Sequence, residues 1–448
     1  MRTLKIFKRL RPQLSLAFML LLLVGTSCET DFTNPNSPTD AQVLNSREGL
    51  LALSIGVKQQ YSVTGLRFLI ETPAITTREG AITTTFQNMI ELEEGASALP
   101  NFNTNVAGLW TTMLRVVVNA DNLIEGAERV ELSPATRGAI IAHANTFKAM
   151  ALGALSQHYE QVIIEPSINN DAAFASRREG FIAAIAALQA ARSALPADGI
   201  PDDFQSGILQ GMNLAETIDA MLARFNLYAG NYAEAIANAN EVDLSVRSVF
   251  NYDVQNANPV WTRVILNNTP NFKPQDNFGL PAEFDIDDED GRKEFYLIRL
   301  DTTNINGFPI EDLAGFFSTP TSSIPVYLPD EMRLIIAEAT VRSNGNAQTA
   351  VDQINEVRTG TDDPFDLNAN LDDYDGDTDT ESLLREIYFQ RRLELFLTGQ
   401  SLEDSRRFGR PEPTRMERVF TDERNRNFYP YPEQERNNNP NTPDDPLI

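Results

Sequence analysis

Cysteine, histidine and tryptophan are nearly missing from this chain. Its 448 residues hold one cysteine, Cys28, two histidines, His143 and His158, and two tryptophans. No disulfide can close within the chain, and no cysteine zinc site or Cys–His pair is available beyond residue 28. The two histidines lie fifteen residues apart, without metal-ligand spacing. Basic residues are also few: 37 Lys and Arg stand against 63 Asp and Glu, a net charge of −26. So acidic a chain cannot release counterions from a phosphate backbone, which excludes nucleic acid as a natural partner. Neither a G-x-S-x-G elbow nor a P-loop is present. With 63 carboxylates some pair always falls at glycosidase distance, so acids alone signal no catalysis. No cofactor is implied, and no enzyme is expected. What remains is an apolar share of 42% and a charged share of 22%, the composition of a globular protein with a large core.

Long apolar runs are equally scarce. The one at Leu14–Val24 is too short to span a bilayer, which takes about 20 residues. It follows Arg2, Lys5, Lys8, Arg9 and Arg11 and leads into Gly25-Thr26-Ser27-Cys28. A basic stretch, an apolar stretch and small residues form a secretory signal. The junction with Cys28 resembles a bacterial lipobox, with Gly25 where Leu is commonest. That resemblance implies cleavage before Cys28, lipidation of its thiol, and residues 1–27 as the signal peptide. The segment carries five basic residues and no acid, so its removal leaves −31. Glu29 and Asp31 resemble the signal that sends Bacteroidetes lipoproteins to the outer face of the outer membrane. Residues 28–40, polar and punctuated by Pro35 and Pro38, read as an extended, lipid-anchored arm.

Beyond the arm a single body is expected over 41–448. Helical signals begin near Ala41, lapse over Phe68–Leu99, and resume with Trp110, Leu114, Val117 and Val118, where Trp110 reads as core. Ser133-Pro134 caps a helix running to about Tyr159. That helix and Phe181–Leu195 are rich in alanine, so they should pack closely as an antiparallel pair.

An internal repeat organises the rest. Residues 222–242 and 337–357 align with Gly230-Asn231 on Gly345-Asn346, Ala235 on Ala350 and Val242 on Val357. Each unit reads as helix, Gly-Asn turn, helix, with the small and apolar positions of a tetratricopeptide (TPR) hairpin. The glycine would supply the left-handed residue ending the first helix. The expected architecture is mainly α: TPR-like hairpins form a scaffold over about 134–242 and 329–410. A large loop-rich insertion over about 243–328 carries short strands, with Val264–Leu266 and Phe295–Ile298 as candidates. Long ordered loops on a rigid scaffold are where binding residues concentrate. The acidic run Asp285–Asp290 reads as a solvated loop. Asp373, Asp375 and Asp377 alternate as in a calcium loop. Thr378 at position six and Leu384 at position twelve break the EF-hand pattern, so an acidic surface loop is the better reading.

Near the C-terminus the sequence reads Glu386-Ile387-Tyr388-Phe389-Gln390-Arg391-Arg392-Leu393-Glu394-Leu395-Phe396, then Gly399 and Asp404-Ser405-Arg406-Arg407-Phe408-Gly409. The tail holds Tyr429-Pro430-Tyr431-Pro432-Glu433 and Asn438-Asn439-Pro440-Asn441. With the lipobox and the TPR-like hairpins, these pieces resemble the SusD/RagB family of outer-membrane lipoproteins. Gln390, Thr398 and Leu402 depart from the family's acid, Glu and Trp. The charges of the first piece read as structural pairs, with Arg391 and Glu394 at i,i+3 spacing.

The resemblance implies a lipid-anchored protein facing the cell exterior. It would capture a nutrient, most often an oligosaccharide, for a SusC-like TonB-dependent transporter. Sugars stack on aromatic rings, and the insertion offers Trp261, Tyr252 and Phe272 as ligand-binding candidates, each weighed against core packing. Two alternatives stand beside this reading: the same role with peptide cargo, or a TPR scaffold without a small-molecule ligand.

Overall fold

The computed structural model describes residues 44–265, 270–414 and 420–448, and Cys28 with the signal and arm lies outside them. The first helix, α1 (Arg47–Gln59), starts where Ser46 accepts a hydrogen bond from the Gly49 amide. A wider π turn over Gln60–Gly65 leads into α2 (Leu66–Thr76). The region that lacks periodicity in sequence therefore holds helix, because Pro73 and scattered Thr break the pattern without breaking the backbone. After β1 (Gly80–Ile82) come α3 (Gln87–Glu94) and the long α4 (Thr104–Arg129). Next are α5 (Pro134–His158), β2 (Gln161–Ile163), β3 (Phe174–Ser176) and α6 (Arg177–Ala194).

Ser133 caps α5 through the Thr136 amide, with Pro134 in the first turn as expected. Ser176 and Glu179 close a capping box on α6. The alanines of α5 are buried, so its neighbours approach closely. At Gly153 a β-carbon would overlap the Phe225 ring. Gly153→Ala is expected to lower unfolding free energy by about 1–3 kcal/mol in a urea melt; an unchanged midpoint would show that Phe225 moves aside freely.

The first TPR-like hairpin is α7 (Leu214–Ala229) and α8 (Tyr232–Glu241). The insertion then runs through β4 (Val249–Phe250), α9 (Trp261–Val264), β5 (Phe272–Pro274), α10 (Gly291–Tyr296), β6 (Leu297–Thr303), β7 (Pro309–Leu313) and β8 (Ile324–Pro325). The second hairpin is α11 (Pro329–Arg342) and α12 (Ala347–Arg358), followed by α13 (Thr380–Glu394), α14 (Ser401–Arg407) and α15 (Glu433–Asn438). The fold is mainly helical. Among the described residues the strands pair only in antiparallel twos: β1 with β5, β2 with β3, β4 with β8 and β6 with β7.

Ala235 and Ala350 are both fully buried between their helices, as the repeat requires. The turns differ. Gly230 takes the left-handed conformation (φ 81°), but in the second hairpin Asn344 does so (φ 56°). Gly345 is needed for a different reason: a β-carbon there would stand 2.9 Å from Thr340 Cγ2 and 3.0 Å from its carbonyl oxygen.

Two further expectations are corrected. Val264 closes the short helix α9 and Ile265 caps it, so no strand forms there. Asp290 leaves the solvated run: it is buried, caps α10 and binds Arg292 at 2.9 and 2.7 Å. The loop with Asp373, Asp375 and Asp377 is exposed, and Tyr374 braces it by donating to the Asp377 carbonyl at 2.9 Å. No cluster of His, Cys, Asp or Glu suited to a metal occurs among the described residues.

The C-terminal charges tie distant segments together. Arg391 reaches across to Asp404 (2.9 and 3.0 Å) rather than to Glu394, and Arg407 binds both Asp404 (2.8 Å) and Glu338. Burial would raise the Glu338 carboxyl, but Arg407, with Arg342 and Arg391, overcomes it and holds it at about 2. Arg392 donates to the carbonyls of Thr77 (3.2 Å) and Phe278 (2.8 Å). Gln390, where the family pattern has acid, accepts from Arg292 at 2.8 Å and donates to Glu386 at 2.8 Å. A neutral amide thus bridges two charges that a carboxylate would meet unequally.

Candidate ligand-binding face

The short helix α3 is where segments far apart in sequence converge. Asn103 caps α4 by accepting from the amides of Asn105 (3.0 Å) and Val106 (3.4 Å). Its amide nitrogen donates to the Asn88 carbonyl (2.8 Å) and to Glu91 (2.8 Å) in α3. This one side chain holds the start of α4 against the start of α3. It thereby sets two phenylalanines on joined segments: Phe86, 60% exposed, at the N-cap of α3, and Phe102, 61% exposed, just ahead of α4. Both rings are open to solvent.

A third ring and two guanidinium groups connect to α3 through Met89 and Glu71. Met89 in α3 takes the Asn105 amide at 3.4 Å and Arg263 Nη2 at 3.9 Å. Arg263, from α9, grips the buried Glu71 of α2 at 2.7 and 2.9 Å. Arg67 reaches the same carboxylate at 3.5 Å and lies 4.9 Å over the half-buried Phe68 ring. Burial first, and the Arg263 charge second, lower the Arg67 pKa. Phe68 rests on α4 at Gly108, where a β-carbon would overlap its ring. Gly108→Ala is expected to displace Phe68 while leaving the core intact. A fall in ligand affinity without a fall in the urea midpoint would show it, and an unchanged affinity would remove Phe68 from the face.

On the other side of α3, Glu93 accepts from the Ile82 amide (2.7 Å), from Asn304 (3.0 Å) and from Asn306. Burial raises its pKa, and these hydrogen bonds oppose the rise. They fasten the tip of the β6–β7 hairpin to β1, leaving Ile305 67% exposed. Behind the tip, Arg78 sits between the Phe308 and Phe420 rings at 5.3 and 5.8 Å. The arrangement offers open rings for C–H faces, guanidinium donors and carboxamides. It holds no nucleophile with an adjacent base.

The three aromatic residues expected from sequence fare differently. Tyr252 is buried and donates its hydroxyl to the Ser62 carbonyl at 2.9 Å. Phe272 is fully buried in β5, its ring against Gly80. Both are core residues, because ordered loops also need an apolar interior. Trp261 is half-buried and opens α9, the helix that brings Arg263 to Glu71. Sequence reasoning missed Phe68, Phe86 and Phe102. The signal available for the last two was a lone aromatic between polar neighbours: Thr85 and Gln87, Asn101 and Asn103.

Elsewhere, a recess of about 840 Å³ is lined by Arg406, Arg410, Arg424 and Phe428. Its guanidinium groups are committed: Arg406 to Glu403 at 2.6 Å, Arg410 to Glu423 at 2.7 Å, and Arg424 to Asn427 at 2.9 Å. That recess is held by internal pairs.

Comparison with known proteins agrees with this organisation. Residues 330–445 match the model of the SusD family. No curated protein sequence matches the chain. Among solved structures, a SusD superfamily protein from Bacteroides thetaiotaomicron VPI-5482 superposes with a TM-score of 0.69 at 16% identity, covering 89% of this chain and 99% of that one. A SusD-like carbohydrate binding protein from Bacteroides fragilis NCTC 9343 gives 0.68 at 14% identity over 89% and 99%. Bacteroides fragilis NanU gives 0.67 at 14% identity over 92% and 99%. The C-terminal segment 330–445 thus matches the SusD family, and the chain shares its fold with these three structures.

Proposed function

We propose that this protein is a cell-surface lipoprotein that captures an oligosaccharide and delivers it to a partner SusC-like, TonB-dependent outer-membrane transporter. The match of residues 330–445 to the SusD family supports nutrient binding, and a structural neighbour is named as carbohydrate binding. The observation that carries the reading is the pair of open rings, Phe86 and Phe102, on the two segments that Asn103 joins. Such rings stack on the C–H faces of sugars, while Arg67, 35% exposed with only its Nε directed at Glu71, keeps guanidinium donors for a hydroxyl. The role is binding, with no chemistry performed on the cargo. Among the described residues no helix is long and apolar enough to cross a membrane. We assign the anchorage to a lipid on Cys28, from the lipobox-like junction that ends there.

The test uses the chain from residue 29 onward on a glycan array, followed by calorimetry. Phe86→Ala with Phe102→Ala should weaken glycan binding about tenfold or more while leaving the unfolding midpoint in place. Binding to peptides and to no glycan would replace the sugar with peptide cargo. In cells, Cys28→Ala should abolish lipid labelling and release the protein from the membrane fraction.

A further inference from the structure

Between the outer stripe of α4 and the short helix α15 lies a cavity of about 320 Å³. None of its lining residues belongs to the aromatic face above. Trp110 stands at its edge, its indole N–H donating to Glu435 at 3.1 Å and its ring stacked 5.7 Å from Phe174. Leu114 and Val118 give it an apolar side, and Val118 is 41% exposed. The rest is polar. Among the described residues, the side chains of Thr111, Arg115, Asn119, Asn170 and Gln434 make no hydrogen bond or ion pair. Arg115, Asn170 and Gln434 are exposed and Thr111 and Asn119 half-buried, so all five are open to a bound molecule.

We propose that this cavity is a second binding site, for a small neutral polyhydroxylated ligand such as a mono- or disaccharide. Carboxamides offer a donor and an acceptor each, which matches a hydroxyl and does not match a charge. The only cation lining the cavity, Arg115, is exposed, and the only anion, Glu435, is already bound to Trp110 and to Asn439 (2.9 Å). The volume lies at the small end of the roughly 300–1,000 Å³ typical of ligand pockets, which suits one or two sugar rings. The apolar stripe supplies contact for C–H groups. This site goes beyond the cargo face and does not depend on it.

The test exploits the scarcity of tryptophan. In a Trp261→Phe background Trp110 is the sole tryptophan of the chain. Titration with millimolar glucose, galactose, N-acetylglucosamine, maltose or lactose should give a saturable change in its emission with at least one sugar, matched by saturation-transfer NMR. Asn119→Ala with Gln434→Ala, at half-buried and exposed positions, should weaken that response about tenfold. Phe86→Ala with Phe102→Ala should leave it unchanged, so loss of this site and loss of the cargo face are read separately. No saturable signal by either method, an equal response in the Asn119/Gln434 variant, or a response to glucuronate alone would overturn the proposal.

Discussion

Asp404→Ala should destabilise the protein by about 3–5 kcal/mol, more than any single surface change. Asp404 is 1% exposed and accepts from both Arg391 and Arg407. Arg407 would keep Glu338, but Arg391 would keep only the Gln400 amide oxygen at 3.3 Å. A guanidinium buried without its counter-charge carries the desolvation penalty uncompensated. The effect lies in stranding Arg391, not in losing an attraction. A double variant, Asp404→Leu with Arg391→Met, should therefore recover much of the loss. Urea unfolding of the three proteins decides the matter. A single-variant loss under about 1 kcal/mol would place the pair among solvent-screened ones and defeat the argument.

The second large effect concerns acid. His143 is fully buried near the rings of Phe147 (4.8 Å) and Phe204 (5.7 Å), with neither ring nitrogen hydrogen-bonded among the described residues. Burial, with the Lys58 charge second, pushes its pKa down from 6.5 to about 3. Above pH 6.5 the imidazole is neutral in both the folded and unfolded chain, and its contribution is constant. Below 6.5 the unfolded chain takes up the proton first, so stability is lost as pH falls, by about 1.4 kcal/mol per unit, until the folded pKa is reached. At a pH of about 4.5 the loss from this one residue is about 3 kcal/mol. In His143→Leu that loss disappears. The stability difference between variant and parent should widen steadily below pH 6.5, and parallel pH curves would refute the assignment. His158, lowered to about 4 by burial, adds a second contribution of the same sign.

The helical hairpins were legible in sequence because they are local. Ser133-Pro134, Gly230-Asn231 and the buried Ala235 and Ala350 each act within a few residues of themselves, and periodicity records such constraints. The choice between Gly345 and Asn344 as the left-handed residue was not legible, since both types tolerate that conformation. Exposure of aromatic rings was the hardest to read. Whether Tyr252 faces Ser62 or solvent depends on a contact 190 residues away, and the proposed cargo face draws on the remote segments that Asn103, Arg263 and Asn304 bring to α3. The pairing of Arg391 with Asp404 instead of Glu394 is the same lesson at shorter range: the turn after α13 brings the better-placed acid.

The tail described among the C-terminal pieces has a consequence for how the chain reaches its native state. Tyr429 hydrogen-bonds through its amide to the His158 carbonyl at 3.0 Å and through its hydroxyl to Thr76 at 2.8 Å, while the Tyr431 hydroxyl accepts from the Gln161 amide at 2.9 Å. Asn425 reaches back to the Leu92 carbonyl at 2.7 Å. The interior built by the first helices is thus completed by residues 270 and 353 positions further along the chain. Contacts spanning so much chain are costly in loop-closure entropy, so this part of the interior depends on the rest of the fold already holding its two sides near each other.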